Sequence, residues 1–521
     1  MSDDRDQAIR DIVKGASVVY TGLVLEIAIA FLAQWLAAKH LSLSGFGGVT
    51  TGLALLNVGA IIGSLGFGSG LTRYLPRLND DERTALLRSA LVFATPVGLL
   101  LGALITLNAG FIASTVFGDP TVTPSLQVFG AAIPAAAVLT VAIGGIRGAK
   151  QSGYRVVVEN IVRPVVRFGL VILAVILGLS QFGFAVAYGI PYLVGAVVAV
   201  ILAFRSVSGP VIGALSDRSL LRDVARYSIP FVVSDAASFV YRSADIFIIL
   251  YFIDSGAVGV YGVAYAVARL LLMFSTAFDF LGTPVASELE AGEGIGEAIS
   301  VHRSMLRWLV VLSIPALVPF LLFSGEFVAA VYRPRYAAGG TALAILATGF
   351  TAHNVLGPNV GLLEAMGHSR LIAINTAAAA ITNVVLNLVL IPGLELPGGI
   401  TVPPLGIEGA AIATVAAYLL RDVLTIAELR WLTGTGVVNR KVLAPVVVAV
   451  PFVAGLATIA PSVPGTLPFI IGVGAAFAVV YLVAVVVTLG FKDEEVMLVK
   501  SVEEKYGLSL GPVMTVVERF S

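Results

Sequence analysis

The chain has 521 residues, of which 58% are hydrophobic and 12% charged, and its mean hydropathy is +0.97. A soluble domain carries about a quarter charged residues, so this composition excludes a soluble enzyme, a disordered protein and a nucleic-acid binder. The 32 Lys and Arg balance the 32 Asp and Glu, and with no cysteine there are no disulfides, thiol catalysis or thiolate metal sites.

One membrane span needs about 20 apolar residues. In chain order the sequence predicts spans over 15–38, 47–71, 87–108, 125–146, 157–179, 182–204, 228–252, 258–283, 305–330, 341–363, 370–391, 406–430, 443–461 and 466–490. Charge and turn residues separate them clearly at Arg77 to Arg88 and at Ser206 to Arg226. The expected class is an all-α polytopic membrane protein of about 14 transmembrane helices.

Positively charged loops stay cytoplasmic. Of the 32 Lys and Arg, 26 fall in the two termini and the even-numbered loops, among them Arg147, Lys150, Arg155, Arg163 and Arg167 of the fourth loop. The odd-numbered loops hold Lys39, Arg333 and Arg335, and Arg242, Arg269 and Arg421 lie inside spans. Both termini are therefore expected in the cytoplasm of a multi-pass protein of the cell membrane. The start, through Ala16, is charged and amphipathic and reads as an interfacial helix rather than a cleavable signal.

A shift of 212 residues lays Lys14 on Arg226 and Gly47 on Gly259. Slightly larger shifts lay Ala149 on Ala365 and the segment 182–188 on 405–411. Spans 1–6 and 7–12 thus read as two six-helix lobes in parallel repeat, a plan common in secondary transporters. The expected organisation is an amphipathic N-terminus (1–14), an N-lobe (15–204), a linker (205–227), a C-lobe (228–430), two appended spans (431–490) and a cytoplasmic tail (491–521).

A charge at mid-bilayer costs a few kcal/mol, so intramembrane charges are functional candidates unless a structural partner explains them. Asp235, Ser238, Arg242 and Asp245 share a face of span 7 about 80° wide. Tyr261, Tyr265, Arg269, Thr276 and Asp279 share a similar stripe of span 8. Glu26 and Gln34 lie on span 1, and Thr50, Asn57 and Ser64 on span 2. These stripes are expected to face a wet cavity. Guanidinium forks match phosphate oxygens, so Arg242 and Arg269, with Tyr261, Tyr265 and Asn57, are candidates for substrate. Glu26, Asp235 and Asp245 are candidates for a coupling ion, Na+ or H+. The bland alternative is that Arg242 and Asp245 neutralise each other as an i, i+3 pair. Arg421–Asp422 reads as a structural pair, and Asn375, Asn383 and Asn387 as glue between helices. The four histidines show no ligand spacing, the glycine-rich 63–70 lies in an apolar span, and no Walker sequence occurs. No metal, catalytic residue or cofactor is expected.

Residues 227–271 carry Ser228, Pro230, Asp245, Val258, Gly259 and Tyr261. Residues 362–414 carry Asn383, Asn387, Ile391, Pro392, Gly406, Gly409, Ala410, Ala411 and Thr414. Both stretches resemble the oligosaccharide and polysaccharide flippases, the O-antigen-flippase-like branch of the multidrug/oligosaccharidyl-lipid/polysaccharide exporter superfamily. The resemblance covers essentially all fourteen spans. It implies a two-lobed fold with a cavity lined by spans 1, 2, 7 and 8. It also implies alternating access for a polyprenyl-phosphate-linked oligosaccharide, with that lipid-linked glycan and membrane lipids as partners and a monomeric, non-enzymatic transporter. Two cavity arginines are fewer than the lipid II flippases have, which favours a surface or glycoprotein glycan over a peptidoglycan precursor. The competing readings are an exporter of drugs or amphipathic cations from the same superfamily, and a membrane enzyme or scaffold of glycan assembly.

Overall fold

The computed structural model describes residues 23, 25–276, 278, 295–357, 359–396 and 400–490. The expected interfacial helix at the N-terminus, Asp279 and the C-terminal tail lie outside the described residues.

The chain is helical, as its apolar runs require when no water can satisfy backbone groups in the bilayer. Helix α1 covers 25–40, α2 Leu43–Gly63, α3 Phe67–Tyr74, α4 Asp80–Leu107 and α5 Thr123–Gly148. A helical run from Ser152 passes through a π segment at Val157–Val162 into α6, Arg163–Ile176. Then come α7 (Gln181–Ser206), α8 (Arg218–Phe252) and α9 (Ser255–Ala268), which tightens to a 3-10 turn at Arg269–Leu271. The remaining helices are α10 (Ile295–Leu322), α11 (Ser324–Val331), α12 (Gly340–Leu356), α13 (Val360–Ala365), α14 (Ser369–Leu390), α15 (Gly406–Thr433), α16 (Arg440–Ile459) and α17 (Leu467–Leu489). Between α14 and α15 a small antiparallel hairpin pairs β1, Leu394–Leu396, with β2, Ile400–Val402, in the register Leu394 to Val402.

Among the described residues, ten helices are long and apolar enough to cross a membrane. Of the other four expected spans, one is only partly described and three differ for a physical reason. The first is described only from residue 23. Helix α6 has 14 residues and α12 has 17, both short for a span, and α8 carries Asp235, Arg242 and Asp245 in its centre. The helix that carries span 7 begins at Arg218, ten residues ahead of the expected span.

The contacts divide the chain into two compact units. One comprises Met1–Gly262 with Asn383–Ala410, the other Val263–Thr382 with Ala411–Ser521. In the first, α5 is the central helix and packs on α2, α4 and α7. Glycine permits the closest approach there: a Cβ on Gly47 of α2 would stand 1.7 Å from the Ser255 carbonyl oxygen at the start of α9. Asp119 ties the same region. Its carboxylate accepts from the Ser255 backbone N–H (2.9 Å) and the Thr121 backbone N–H (3.0 Å). Burial pushes its pKa up, but the hydrogen bonds from Ser255 and Thr121 outweigh this and hold it below the usual carboxylate range.

The segment joining α7 to α8 is tied down by α4. Arg88 is 9% exposed and donates from Nε to the Val211 carbonyl (3.1 Å), from Nη2 to that of Pro210 (2.8 Å) and from Nη1 to that of Ala214. Thr84 donates to the Val207 carbonyl, and Ser89 accepts from the Ser216 N–H.

In the second unit α10 packs on α12, α16 and α17 around Leu306, Leu309, Val310, Phe477 and Tyr481. The appended pair is thinly covered: the apolar windows of α16 and α17 are 17% and 22% buried, the pattern of helices that face lipid.

Candidate functional site

The sequence-predicted residues take three different settings. Asp245 of α8 and Tyr261 of α9 are both 1% exposed, and the Tyr261 hydroxyl donates to the Asp245 carboxylate, which also accepts from the Ile246 N–H at 3.0 Å. The expectation that both line a wet cavity is therefore corrected: the carboxylate finds its donor one helix away, and the two side chains close on each other. Arg242, Asp235 and Asn57 are exposed. Arg242 donates from Nε to the Ser238 carbonyl (2.9 Å) one turn back and stands 5.5 Å over the Tyr241 ring. Its expected i, i+3 partner, Asp245, is engaged instead by Tyr261. In the second unit Arg269 is exposed, and the half-buried Tyr265 sets its ring edge-on to Phe350 with 5.8 Å between centroids.

Glu26 belongs to a cluster that reaches beyond spans 1 and 2. Its carboxylate accepts a hydrogen bond from the Asn160 side-chain amide. Asn160 sits in the π segment ahead of α6, and the cause is local. Pro164 has no N–H to return to the carbonyl four residues earlier, so the ladder loosens there. Single π turns of this kind are frequent at functional sites. The next two inward residues are Arg163 and Arg167. The Arg163 guanidinium stands 4.5 Å over the Tyr192 ring and that of Arg167 5.5 Å over the Tyr188 ring, both on α7. The Tyr192 hydroxyl donates to Asn57 Oδ1 on α2 at 3.3 Å. Glu159 is paired with Arg155 at 2.6 Å and so cancels in charge.

Arg163 and Arg167 count with the charges of the fourth loop yet lie inside the expected span 157–179; the structure places both on a helix, stacked on aromatic rings. Among the described residues, the buried Nε atoms of both have no hydrogen-bond partner. A buried donor left unmade costs about 1–3 kcal/mol, so each of these two groups can take a further acceptor. Two guanidiniums against one Glu26 carboxylate leave one net positive charge in the cluster. Planar forks over aromatic faces suit phosphate oxygens, while Tyr, Asn and Glu suit hydroxyl groups. The sequence held a signal for this. Asn160, Arg163 and Arg167 repeat the i, i+3, i+7 spacing of Asp235, Ser238 and Arg242.

Of the remaining polar groups, Asn375 joins two helices and Asn387 bonds within its own. Asn375 of α14 donates to Glu428 of α15 (2.7 Å), and Asn387 donates to Asn383 Oδ1 (3.0 Å). Asp422 lies 4.0 Å from Arg421, but its close contact is His353 of α12 at 2.6 Å. No group of three or more metal-ligating side chains occurs among the described residues.

Comparison with known proteins agrees with this fold. Residues 12–280 match the family described as "Polysaccharide biosynthesis protein". The "Probable low-salt glycan biosynthesis flippase" of Haloferax volcanii is 28% identical over 206 residues, 39% of this chain and 41% of that protein. A second Haloferax volcanii protein, named a "Probable flippase", is 27% identical over 36% of this chain and 38% of its own. The chain thus aligns with about two fifths of each of these relatives. An uncharacterised membrane protein of Methanocaldococcus jannaschii is 24% identical over 84% of this chain and 88% of its own. Among solved structures, the lipid II flippase MurJ in an inward closed conformation superposes with a TM-score of 0.70 at 12% identity, covering 90% of this chain and 98% of that one. An inward-facing multidrug transporter of the MATE family superposes at 0.58 and 16% identity, covering 78% and 94%. At such identities the likeness is one of fold: a multi-pass helical membrane protein.

Proposed function

Because this chain belongs to the polysaccharide biosynthesis protein family, we propose that it carries a polyprenyl-phosphate-linked oligosaccharide across the cell membrane by alternating access. The observation that carries this reading is the pair Arg163 and Arg167, stacked on Tyr192 and Tyr188 with their buried Nε donors unmet. A phosphate diester of the lipid carrier supplies the acceptors those donors lack, and Asn57 and Tyr192 offer sugar hydroxyls a donor and an acceptor. The exposed Arg242 of the first unit and, separately, the exposed Arg269 of the second each offer a guanidinium to an anionic group. Glu26, held by Asn160, and the exposed Asp235 are the carboxylates through which Na+ or H+ drives the cycle. The chain moves its substrate without changing a covalent bond, and both termini lie in the cytoplasm. Its N-lobe and C-lobe are the two halves that alternate. The names of the Haloferax relatives support this reading, as does the flippase fold.

The test is reconstitution of the purified protein in liposomes that contain a fluorescent polyprenyl-phosphate saccharide. Translocation is expected and should be lost in Arg163→Ala, Arg167→Ala. Movement of a cationic dye with no movement of the saccharide would replace this reading with that of a cation exporter. A covalently altered saccharide would replace it with that of an enzyme.

A further inference from the structure

Among the described residues of the second unit, a deeply enclosed titratable pair joins α12 to α15. His353 Nδ1 stands 2.6 Å from Asp422 Oδ2, and the two residues are 7% and 3% exposed. Both lie on helices expected to cross the membrane. An ionised carboxylate only accepts, so Nδ1 carries the hydrogen and Nε2 is the free ring nitrogen. The titratable and charged groups that face the pair come from the same two layers. On α15, Tyr418 sets its ring edge-on to His353 (5.5 Å), and Arg421 lies 4.0 Å from Asp422. On α9, Tyr265 approaches through Phe350, one turn from His353. The charged groups of α10 engage elsewhere: His302 with Asn359, Arg303 with the Gly436 carbonyl and Arg307 with that of Gly490. Glu428 of α15 binds Asn375.

The neighbour of His353 gives the pair a reach. Asn354 is fully buried and donates from Nδ2 to the Leu271 carbonyl (2.9 Å) and to Ser313 of α10 (2.9 Å). Leu271 ends the 3-10 turn that begins with Arg269. Two consecutive residues of α12 therefore hold, on one side, a carboxylate of α15 and, on the other, the turn that carries an exposed arginine.

We propose that the His353–Asp422 pair is a proton-binding site whose occupancy sets the placement of the Arg269 turn. The step is a simple one. A proton from water adds to Nε2, and a pair of charge −1 becomes a neutral imidazolium–carboxylate pair. Release to water reverses it, and no bond between heavy atoms changes. Imidazole is the side chain whose ordinary charge change falls closest to neutral pH, and buried ionisable groups on spans form proton relays. Protonation turns the hydrogen bond between α12 and α15 into an ion pair that draws the two helices together, and Asn354 passes that movement of α12 to Leu271. The consequence for transport rests on the flippase reading above; the proton site does not.

The test uses the full chain in liposomes. Histidine labelled with nitrogen-15 follows the His353 ring by NMR as pH is stepped through neutrality. The ring is expected to gain a proton at Nε2; a ring that keeps one protonation state throughout overturns the proposal. The chain has no cysteine, so Leu270→Cys places a single spin label beside Arg269. Its mobility is expected to change with pH, and the change should vanish in His353→Asn. A change that survives in His353→Asn overturns the link to Arg269. If His353 titrates and no lipid-linked saccharide crosses in any condition, the flippase reading falls and the proton site stands. If saccharide crosses and His353 does not titrate, the reverse holds.

Discussion

The Tyr261 hydroxyl hydrogen-bonds the Asp245 carboxylate, and the contact pins α9 to α8 inside one unit. A hydrogen bond to a buried charge is worth about 1.5–3 kcal/mol, since its loss leaves the charge under-satisfied. Tyr261→Phe should therefore lower stability by about that amount, read as a fall in melting temperature in detergent. Binding of a lipid-linked saccharide to the folded fraction should not change. An unaltered melt would show that the contact contributes nothing.

Arg163 and Arg167 should not tolerate lysine well. Lysine keeps the charge but loses the planar fork that stacks on Tyr192 and Tyr188 and presents two parallel donors. Each Arg→Ala change should weaken saccharide binding about 10- to 100-fold, the equivalent of one charge-assisted hydrogen bond. Each Arg→Lys change should fall between Ala and wild type. Titration of the labelled lipid-linked saccharide against each variant measures this, and equal affinity for all three would remove the stacking argument.

Glu26→Gln keeps an acceptor for the Asn160 amide and removes the charge. Exchange of saccharide between leaflets should continue at equilibrium, while stimulation by an imposed Na+ or H+ gradient disappears. Stimulation that survives unchanged would move the coupling role away from Glu26.

Asp119 yields a pH dependence with a definite sign. Its pKa in the folded protein lies below that of the unfolded chain, as the bonds from Ser255 and Thr121 outweigh burial. The stabilisation is thus fully present above the ordinary carboxylate value of about 3.9 and is lost as pH falls through the lower folded value. The melting temperatures of wild type and Asp119→Asn should differ by a constant amount above about pH 5 and converge in stronger acid. A difference that persists undiminished in acid would contradict the assignment.

Much of the fold can be read in the sequence, because span length and hydropathy follow from the bilayer itself. Breaks such as Arg77 to Arg88 fall where the structure turns, and Asn79 with Glu82 caps α4 there by a mutual pair of hydrogen bonds. Other features escape such reading. Arg163 and Arg167 follow a cluster of loop charges, and a count of positive residues assigns them to that loop. The apolar run over 157–179 already places them inside a helix, and the π segment ahead of Pro164 is what the sequence does not show. Asp422 has an arginine next to it in sequence, and its true close partner, His353, is 69 residues away. Pairings of that kind are set by how helices pack, which periodicity within one helix does not encode. Asp245 is a further case: it shares the span 7 stripe with the exposed Asp235 and Arg242, but Tyr261 closes over it alone.

The clasp that Arg88 makes on three carbonyls bears on how this protein can be engineered. Residues 207–217 contain serine, glycine and proline and look like a slack tether, the natural place to insert a fluorescent reporter or to divide the gene into two co-expressed halves. Tolerance to insertion depends on the hydrogen bonding of the backbone concerned, and here the carbonyls of Pro210, Val211 and Ala214 are taken by a buried guanidinium. A reporter placed among them would strand that charge and loosen the end of α4. The segment acts as a strap, and a split protein cut there would lose the piece that holds its own first half closed.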